Sequence, residues 1–564
     1  MLSHQPSCSS ALRWSIAALM MAVGGMIWAT PTRAAALPKE ATGASIDLTA
    51  YEITLYVDPQ GDDSREGQTA EQALQSLGAA LEQAKGHLNQ GAGVRVLLAP
   101  GVYREGYLHL HGDHDLTDAG REALLIIEGA ARDQVTVSGA VVAGWEPHTW
   151  EARPVDAGMH VYRHDWPYDW DVIDEEPDDV LIGFREMVIF NGQMLKQEAS
   201  ADALRPGRFH IDRDGQSIEI ALDRQMLPGD QVEIAEKQSL LTIKRKHNLV
   251  LRNLNFLHSN PHIAGGEHGC VEDPWGRAVE ICTHGVADAE PNRNILIEAC
   301  SFSLHNAAAV RVINARDVTL RNVKANTNGW KGIGLSFARN ALLEDCETSY
   351  NAWRQLWSTS RFHDSGGIKI IPFCDVVTLR RHAAIDNTVT HGIWTDWGNT
   401  NIILDEVRVS GHSAPPIHLE MGKGPHLIRN SHIKNEVGIL IRGSSNLTFD
   451  GNHIEAERGV LISLQEDSRQ LNGERLYNEY MTLRNNRLVV GRGRIFNATA
   501  NWQRLYNTLT SEANTYVFGQ VEQGQLGLYF STQEVMSFQD WQANGFDAQS
   551  ILIVSDQVQR RGSE

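Results

Sequence analysis

Residues 294–306 read NILIEACSFSLHN, residues 317–329 read DVTLRNVKANTNG, and residues 340–352 read NALLEDCETSYNA. Each segment opens on a polar residue, alternates apolar with polar positions, and carries an Asn near its end. Alternation at period two marks strands. Related segments begin at residues 248, 376, 401, 425 and 446, with a weaker copy at 480. The fourth residue of each serves as a ruler: Leu251, Ile297, Leu320, Leu343, Leu379, Leu404, Ile428, Phe449 and Leu483. The steps between them are 46, 23, 23, 36, 25, 24, 21 and 34 residues. Most are one period of 21–25 residues. The step of 46 reads as two periods, and those of 36 and 34 as single rungs carrying loops. No helix-length stretch separates the strands, which argues against leucine-rich repeats with helices. Short strands at a period in the low twenties, with turn residues at fixed offsets, describe a parallel β-helix.

Asn306, Asn328, Asn351, Asn387 and Asn435 recur late in these units. Asn tolerates a left-handed turn and can hydrogen-bond its copy one rung away, so the series reads as structural. Cys300, Val323 and Cys346 share one column, which predicts buried thiols in a core stack. The front end differs, with a strand, a polar loop and a helix over about residues 69–88, placed to cover the open end of the coil. The front end and first rungs occupy residues 50–144. Residues 145–245 lose the repeat and read as an inserted β-rich, sandwich-like subdomain. The main coil spans residues 246–500, and residues 501–564 close the far end.

Arg13, the apolar run Ser15–Ala29 and the small residues Ala34–Ala36 read as a secretory signal peptide over residues 1–36. An uncleaved anchor is the alternative, and the run is short for a membrane span. The expected location is secreted or periplasmic, with no membrane association after cleavage. Five cysteines then remain, an odd number that does not suggest a disulfide framework, although Cys270 and Cys282 could pair across a loop. No cluster suggests zinc, and no cofactor is called for. The formal charge of −20 repels nucleic acid and weakly disfavours a dedicated binder of acidic polymers. The chain holds 14 Trp, and exposed Trp in a secreted protein often stacks on sugars. The oligomeric state is not readable.

The strands preceding the ruler carry the chemistry. They include KGIGLSF (331–337), GGIKIIP (366–372), HGIWTDW (391–397) and PPIHLEM (415–421). Ile333, Ile368, Ile393 and Ile417 fill a core column, so alternate positions face outward. One outward column reads Arg311, Gly334, Lys369, Trp394, His418, Leu440. The next reads Ile313, Ser336, Ile371, Asp396, Glu420, Arg442. Asp396 and Glu420 are one period apart, so adjacent rungs place them about 5 Å from each other. Retaining glycosidases hold their two carboxyl groups about 5–5.5 Å apart. The ordinary alternative is a solvated face with two acids and two bases. Like charges directly opposite in a sheet are destabilising, however, and offsetting them does not call for an adjacent Trp. The loop NAWRQLWSTSRFHDSGG precedes Lys369 and reads as a cleft wall. It carries Trp353, Trp357, Arg354 and His363. Trp353 and Trp357 are candidate sugar platforms, as is Trp330.

At these residues the chain resembles right-handed parallel β-helix carbohydrate enzymes, in particular the β-xylosidases of glycoside hydrolase family 120. The resemblance rests on GGIK, then GIWTDW, then IHLEMGKGPHLIRNS. It implies an all-β right-handed coil with an added β-rich domain and a reaction that retains configuration. It assigns the nucleophile to Asp396 and the acid/base to Glu420. Lys369 and His418 would bind sugar hydroxyls or keep Asp396 ionised, Arg442 is a further candidate for binding the substrate, and Trp394 would stack on or wall the sugar. The alternative is a polysaccharide lyase or epimerase on the same scaffold, with Lys369, Arg311 or Arg442 as base and Asp396 with Glu420 binding Ca²⁺. Non-catalytic glycan binding would keep the Trp-bearing face but would not require two stacked acids.

Overall fold

The computed structural model describes residues 37–154, 158–170, 183–262, 277–283, 290–354, 365–387, 389–498, 502–520, 528–529 and 535–554. Thirteen parallel strands, from Ile53–Val57 to Thr510–Glu512, form one long sheet that contains every ruler residue. Each ruler residue faces the next: Ile297 opposite Leu320, Leu320 opposite Leu343, Leu343 opposite Leu379, and Leu379 opposite Leu404. The side chains stack as a fully buried apolar spine, from Leu55 through Leu251 to Leu483.

The step of 46 residues is a single rung. Leu251 pairs directly with Ile297, so the expected extra period is absent. The additional length lies at the two ends of the strand Arg277–Cys282. An insertion mimics a missing copy when only spacing is read.

Each coil runs from the ruler strand through a one-residue left-handed turn into a short strand, and then into a third strand. Asn253, Ala299, Asn322, Asp345, Arg381 and Glu406 hold that turn, with φ between 51° and 56°. The third strands make the sheet that carries the candidate site, in the order Leu108–His111, Leu241–Lys244, Arg277–Cys282, Ala308–Ile313, Lys331–Ser336, Gly366–Ile370, Ile393–Thr395, Ile417–Glu420 and Ile439–Arg442. The Asn series forms a buried ladder. Asn351 Oδ1 accepts from Asn328 N and Nδ2 at 3.0 and 2.9 Å, and Asn387 Oδ1 accepts from Asn351 N at 2.8 Å. None of these Asn is left-handed. The preceding residues Thr327, Tyr350 and Asp386 take that conformation, which leaves the amides free to bridge rungs. Cys300 and Cys346 are buried free thiols beside Val323. Cys282 is disulfide-bonded, and its expected partner Cys270 lies outside the described residues.

The helix at the front end spans Leu77–Leu88, shorter than the expected 69–88. Ser76 caps it by accepting from Ala79 N, and residues 70–72 form a separate 3₁₀ turn. Leu77, Ala80, Leu81, Ala84 and Leu88 join the first rungs in one core. At the other end Trp541 enters the same core, and its indole donates to Asp547 Oδ2 at 2.7 Å.

Mostly antiparallel strands between Ala140 and Ala235 form two small sheets around their own core of Trp145, Trp150, Trp166, Val188, Phe209 and Ile220. This subdomain leaves the coil after the short strand Val135–Ser138 and returns at the site-sheet strand Leu241–Lys244. A hairpin of Gln470–Leu471 and Glu474–Arg475 leaves at the opposite edge of the site sheet. The site face therefore lies between inserted segments on two sides. Residues 1–36, the expected signal peptide, lie outside the described residues, and no described helix is long and apolar enough to cross a membrane.

Candidate active site

The two outward columns hold in the structure. Gly334 pairs with Lys369, Lys369 with Trp394, Trp394 with His418, and Glu420 with Arg442. Ile393 opposite Ile417 sets the same register for Asp396 and Glu420, on adjacent rungs and one face. Neighbouring parallel strands lie about 4.8 Å apart. The face is not solvated: Lys369, Trp394, Asp396, His418 and Glu420 are all buried.

Buried charges must be paired and hydrogen-bonded. Lys369 Nζ donates to Asp396 Oδ2 at 3.1 Å and sits 3.0 Å from the centroid of the Trp394 ring. Asp396 Oδ1 is buried and has no hydrogen-bond partner among the described residues. The Trp394 indole donates from Nε1 to Glu420 Oε2 at 3.0 Å. Glu420 Oε1 accepts from Arg442 Nη1 at 3.5 Å and from Arg469 Nη2. Asp467, itself buried, holds Arg469 through Nε at 2.9 and 3.0 Å and pairs with Arg442 Nε at 3.1 Å.

Burial, and then the charge of Asp396, push the Glu420 carboxyl above its ordinary range, against the pull of Lys369, Arg469 and Arg442. His418 stacks on Trp394 with ring centroids 5.0 Å apart, and its Nε2 lies 3.7 Å from Glu420 Oε2. Burial, then His391, Lys369 and the two arginines hold His418 well below its usual value, so it is neutral. Neither of its ring nitrogens has a hydrogen-bond partner among the described residues. His391 packs edge-on against Trp394, and its Nδ1 donates to the Pro415 carbonyl at 2.6 Å.

Asp396, Glu420, Trp394, Lys369, His418 and Arg442 thus form one connected group. Trp353 is placed elsewhere. It packs against Ala140, Met187, Ile189 and Ala235 of the inserted subdomain, under the Arg354 guanidinium. Arg354 donates to the Phe184 carbonyl at 2.7 Å, tying coil to subdomain. Trp330 is buried with the Lys331 ammonium over its ring. Trp357 and His363 lie outside the described residues. Sequence reasoning missed Arg469, Asp467 and His391. The first two lie in EDSRQLNGER (466–475), where Asn-Gly between short strands is a strong hairpin signal. Among the described residues, no three His, Cys, Asp or Glu side chains come together as metal ligands.

No family model and no curated protein sequence matches the chain. Solved structures do match. A structure of XylC in complex with xylose is 13% identical over 89% of this chain and 86% of that one, with a TM-score of 0.56. The A-modules of two mannuronan C-5 epimerases from Azotobacter vinelandii, AlgE6 and AlgE4, are each 12% identical, with TM-scores of 0.47 and 0.46. They cover 85% and 81% of this chain and 94% and 95% of their own. At such identities the likeness speaks of architecture, and the architecture of this chain is a right-handed parallel β-helix with an N-terminal capping helix and an inserted β-rich subdomain.

Proposed function

We propose that the chain is a retaining glycoside hydrolase that acts, outside the cytoplasm, on oligosaccharides derived from plant or bacterial polysaccharides. A β-xylosidase-like exo-enzyme is the form favoured by the motif resemblance and by the likeness to a structure holding xylose. The observation that carries the reading is the division of labour between two carboxyl groups on adjacent rungs. Asp396 has one oxygen tied to Lys369 and the other without a partner among the described residues, as suits a nucleophile. Glu420 is pushed towards its protonated form by burial and by Asp396, as a proton donor requires.

In the first step Asp396 Oδ1 forms a bond to the anomeric carbon as the glycosidic bond breaks, and the Glu420 proton passes to the leaving oxygen. In the second, Glu420 takes a proton from water, whose oxygen attacks the same carbon and releases Asp396. The leaving alcohol and the free sugar account for all atoms, and the scheme needs no cofactor. His418, neutral and with no partner on either nitrogen among the described residues, can bind a sugar hydroxyl. The lyase or epimerase reading is less well supported, because Lys369, its best-placed base, is an ammonium already shared by Asp396 and Trp394.

The test is hydrolysis of aryl β-xyloside, arabinoside and fucoside panels by the full chain. Asp396→Ala should abolish turnover, and azide should restore it with formation of a glycosyl azide. Products absorbing in the ultraviolet through a new double bond would instead establish a lyase.

A further inference from the structure

In the geometry described, Glu420 is saturated with donors. Oε2 has the Trp394 indole, and Oε1 has two arginines. A protonated carboxyl must donate, and a guanidinium cannot accept. For Glu420 to carry a proton on Oε1, a donor has to leave. Trp394 cannot, since its ring is buried between the Lys369 ammonium and the His418 ring, with His391 at its edge. Arg442 makes only a 3.5 Å contact. Arg469 immediately precedes the hairpin strand Gln470–Leu471, its side chain 40% exposed where that of Glu420 is 4% exposed. Asp467 grips it independently of Glu420.

We propose that Arg469 is a positioning residue for Glu420, a displaceable counter-ion held in reserve by Asp467. It stands on the Oε1 side of the carboxylate and yields that place to the leaving oxygen of the substrate. The inference rests on the reading of Glu420 as acid/base. It adds that substrate entry removes a cation from Glu420 at the moment a proton is needed there, so that binding primes the acid. The charged and titratable groups facing Glu420 are Asp396 and His418 on its own sheet, Lys369 two rungs back, Arg442 one rung on, and Arg469 with Asp467 from the inserted segment. Arg442 is equally exposed and also pairs with Asp467, but its contact with Oε1 is the long one, at 3.5 Å, and it sits on the rigid site sheet, whereas Arg469 comes from the inserted segment.

Difference infrared spectroscopy of the full chain without ligand, as a function of pH, reads the Glu420 carboxyl directly, with Glu420→Gln identifying its band. Arg469→Gln should raise the pH at which that band titrates by about one unit or more, the effect of a neighbouring guanidinium on a carboxylate. Arg469→Lys, which keeps a charge but loses the fork, should raise it less, and Arg442→Gln should also raise it less. A band that does not move in either Arg469 variant, with thermal unfolding showing them folded, overturns the proposal. Should Arg469→Gln not fold, the lysine variant decides alone. The titration needs no substrate, so it is separable from the glycosidase reading, which fails if wild type hydrolyses none of the aryl glycosides. With an active substrate, the alkaline limb of kcat/KM should shift upward in Arg469→Gln by the same amount.

Discussion

Lys369 and Asp396 form an ion pair of 3.1 Å with side chains only 2% and 8% exposed. Removing one partner of a buried pair costs about 3–5 kcal/mol, because the other charge is left without compensation. Lys369→Met should lower the urea midpoint accordingly and abolish turnover. Lys369→Met with Asp396→Asn should recover most of the stability and none of the activity. Equal destabilisation in the single and double variants would show that the pair is not coupled.

The Trp394 indole bond to Glu420 separates packing from chemistry. Trp394→Phe keeps an aromatic ring beside Lys369 and His418 but loses the Nε1 donor. A hydrogen bond to a charged group contributes about 1.5–3 kcal/mol, so kcat/KM should fall roughly 10- to 100-fold with little change in melting temperature. Undiminished steady-state kinetics would remove the indole from the reaction.

Activity should fall as pH rises through the raised pKa of Glu420, because the acid role needs its proton. The alkaline limb of the rate profile should therefore lie above the ordinary glutamate range. Glu420→Gln should erase that limb and lower kcat by about 10²–10⁴-fold. Stability follows the same sign. The folded protein binds this proton more tightly than the unfolded chain, so the contribution of Glu420 is present at low pH and is lost as pH rises through its folded pKa.

Histidines buried in the coil act in the opposite direction. His382, His412 and His426 are pushed down to about 4, and His305 to about 3, chiefly by burial. The unfolded chain protonates them near 6.5. Between those values it binds more protons than the native state, so stability is lost as pH falls below about 6.5. Urea midpoints should drop between pH 7 and pH 5. His382→Gln should flatten that slope, and a slope unchanged in this variant would count against the assignment.

Asn351 links three rungs, accepting from Asn328 and donating to the Ala325 carbonyl at 2.9 Å. Asn351→Ala strands a buried backbone N–H and should cost about 1–3 kcal/mol, read as a lower denaturant midpoint. Asn351→Asp restores only the acceptor and should recover part of the loss. Wild-type stability in the alanine variant would show that the ladder is dispensable at this rung.

The fold was legible because its signal is arithmetic. Leu320 and Leu343, and then Leu379, Leu404 and Ile428, recur at steps of 23 to 25 residues, and stacking buries them all. Spacing failed between Leu251 and Ile297, where inserted residues have the length of a missing rung. The site face was legible from Trp394, Asp396, His418 and Glu420 because alternation within a strand fixes which side chains share a face. Its burial was not, since residues from outside the repeat pack against it. Arg469 illustrates this: no periodicity connects it to Glu420, and only the hairpin fold brings them together. The Asn ladder was anticipated in its bonding but not in its backbone, because an amide that bridges rungs is better served when the residue before it, such as Tyr350, makes the sharp bend.

The Gln470–Arg475 hairpin departs after Gln465 and the chain rejoins the coil by Glu479, while Phe449 still faces Leu483 as though nothing intervened. Those residues are in effect a cassette plugged into a rigid rack. Transplanting a different segment between the same two sockets would re-tool the mouth above Glu420 while the hydrogen-bond ladder beneath it stays as it is.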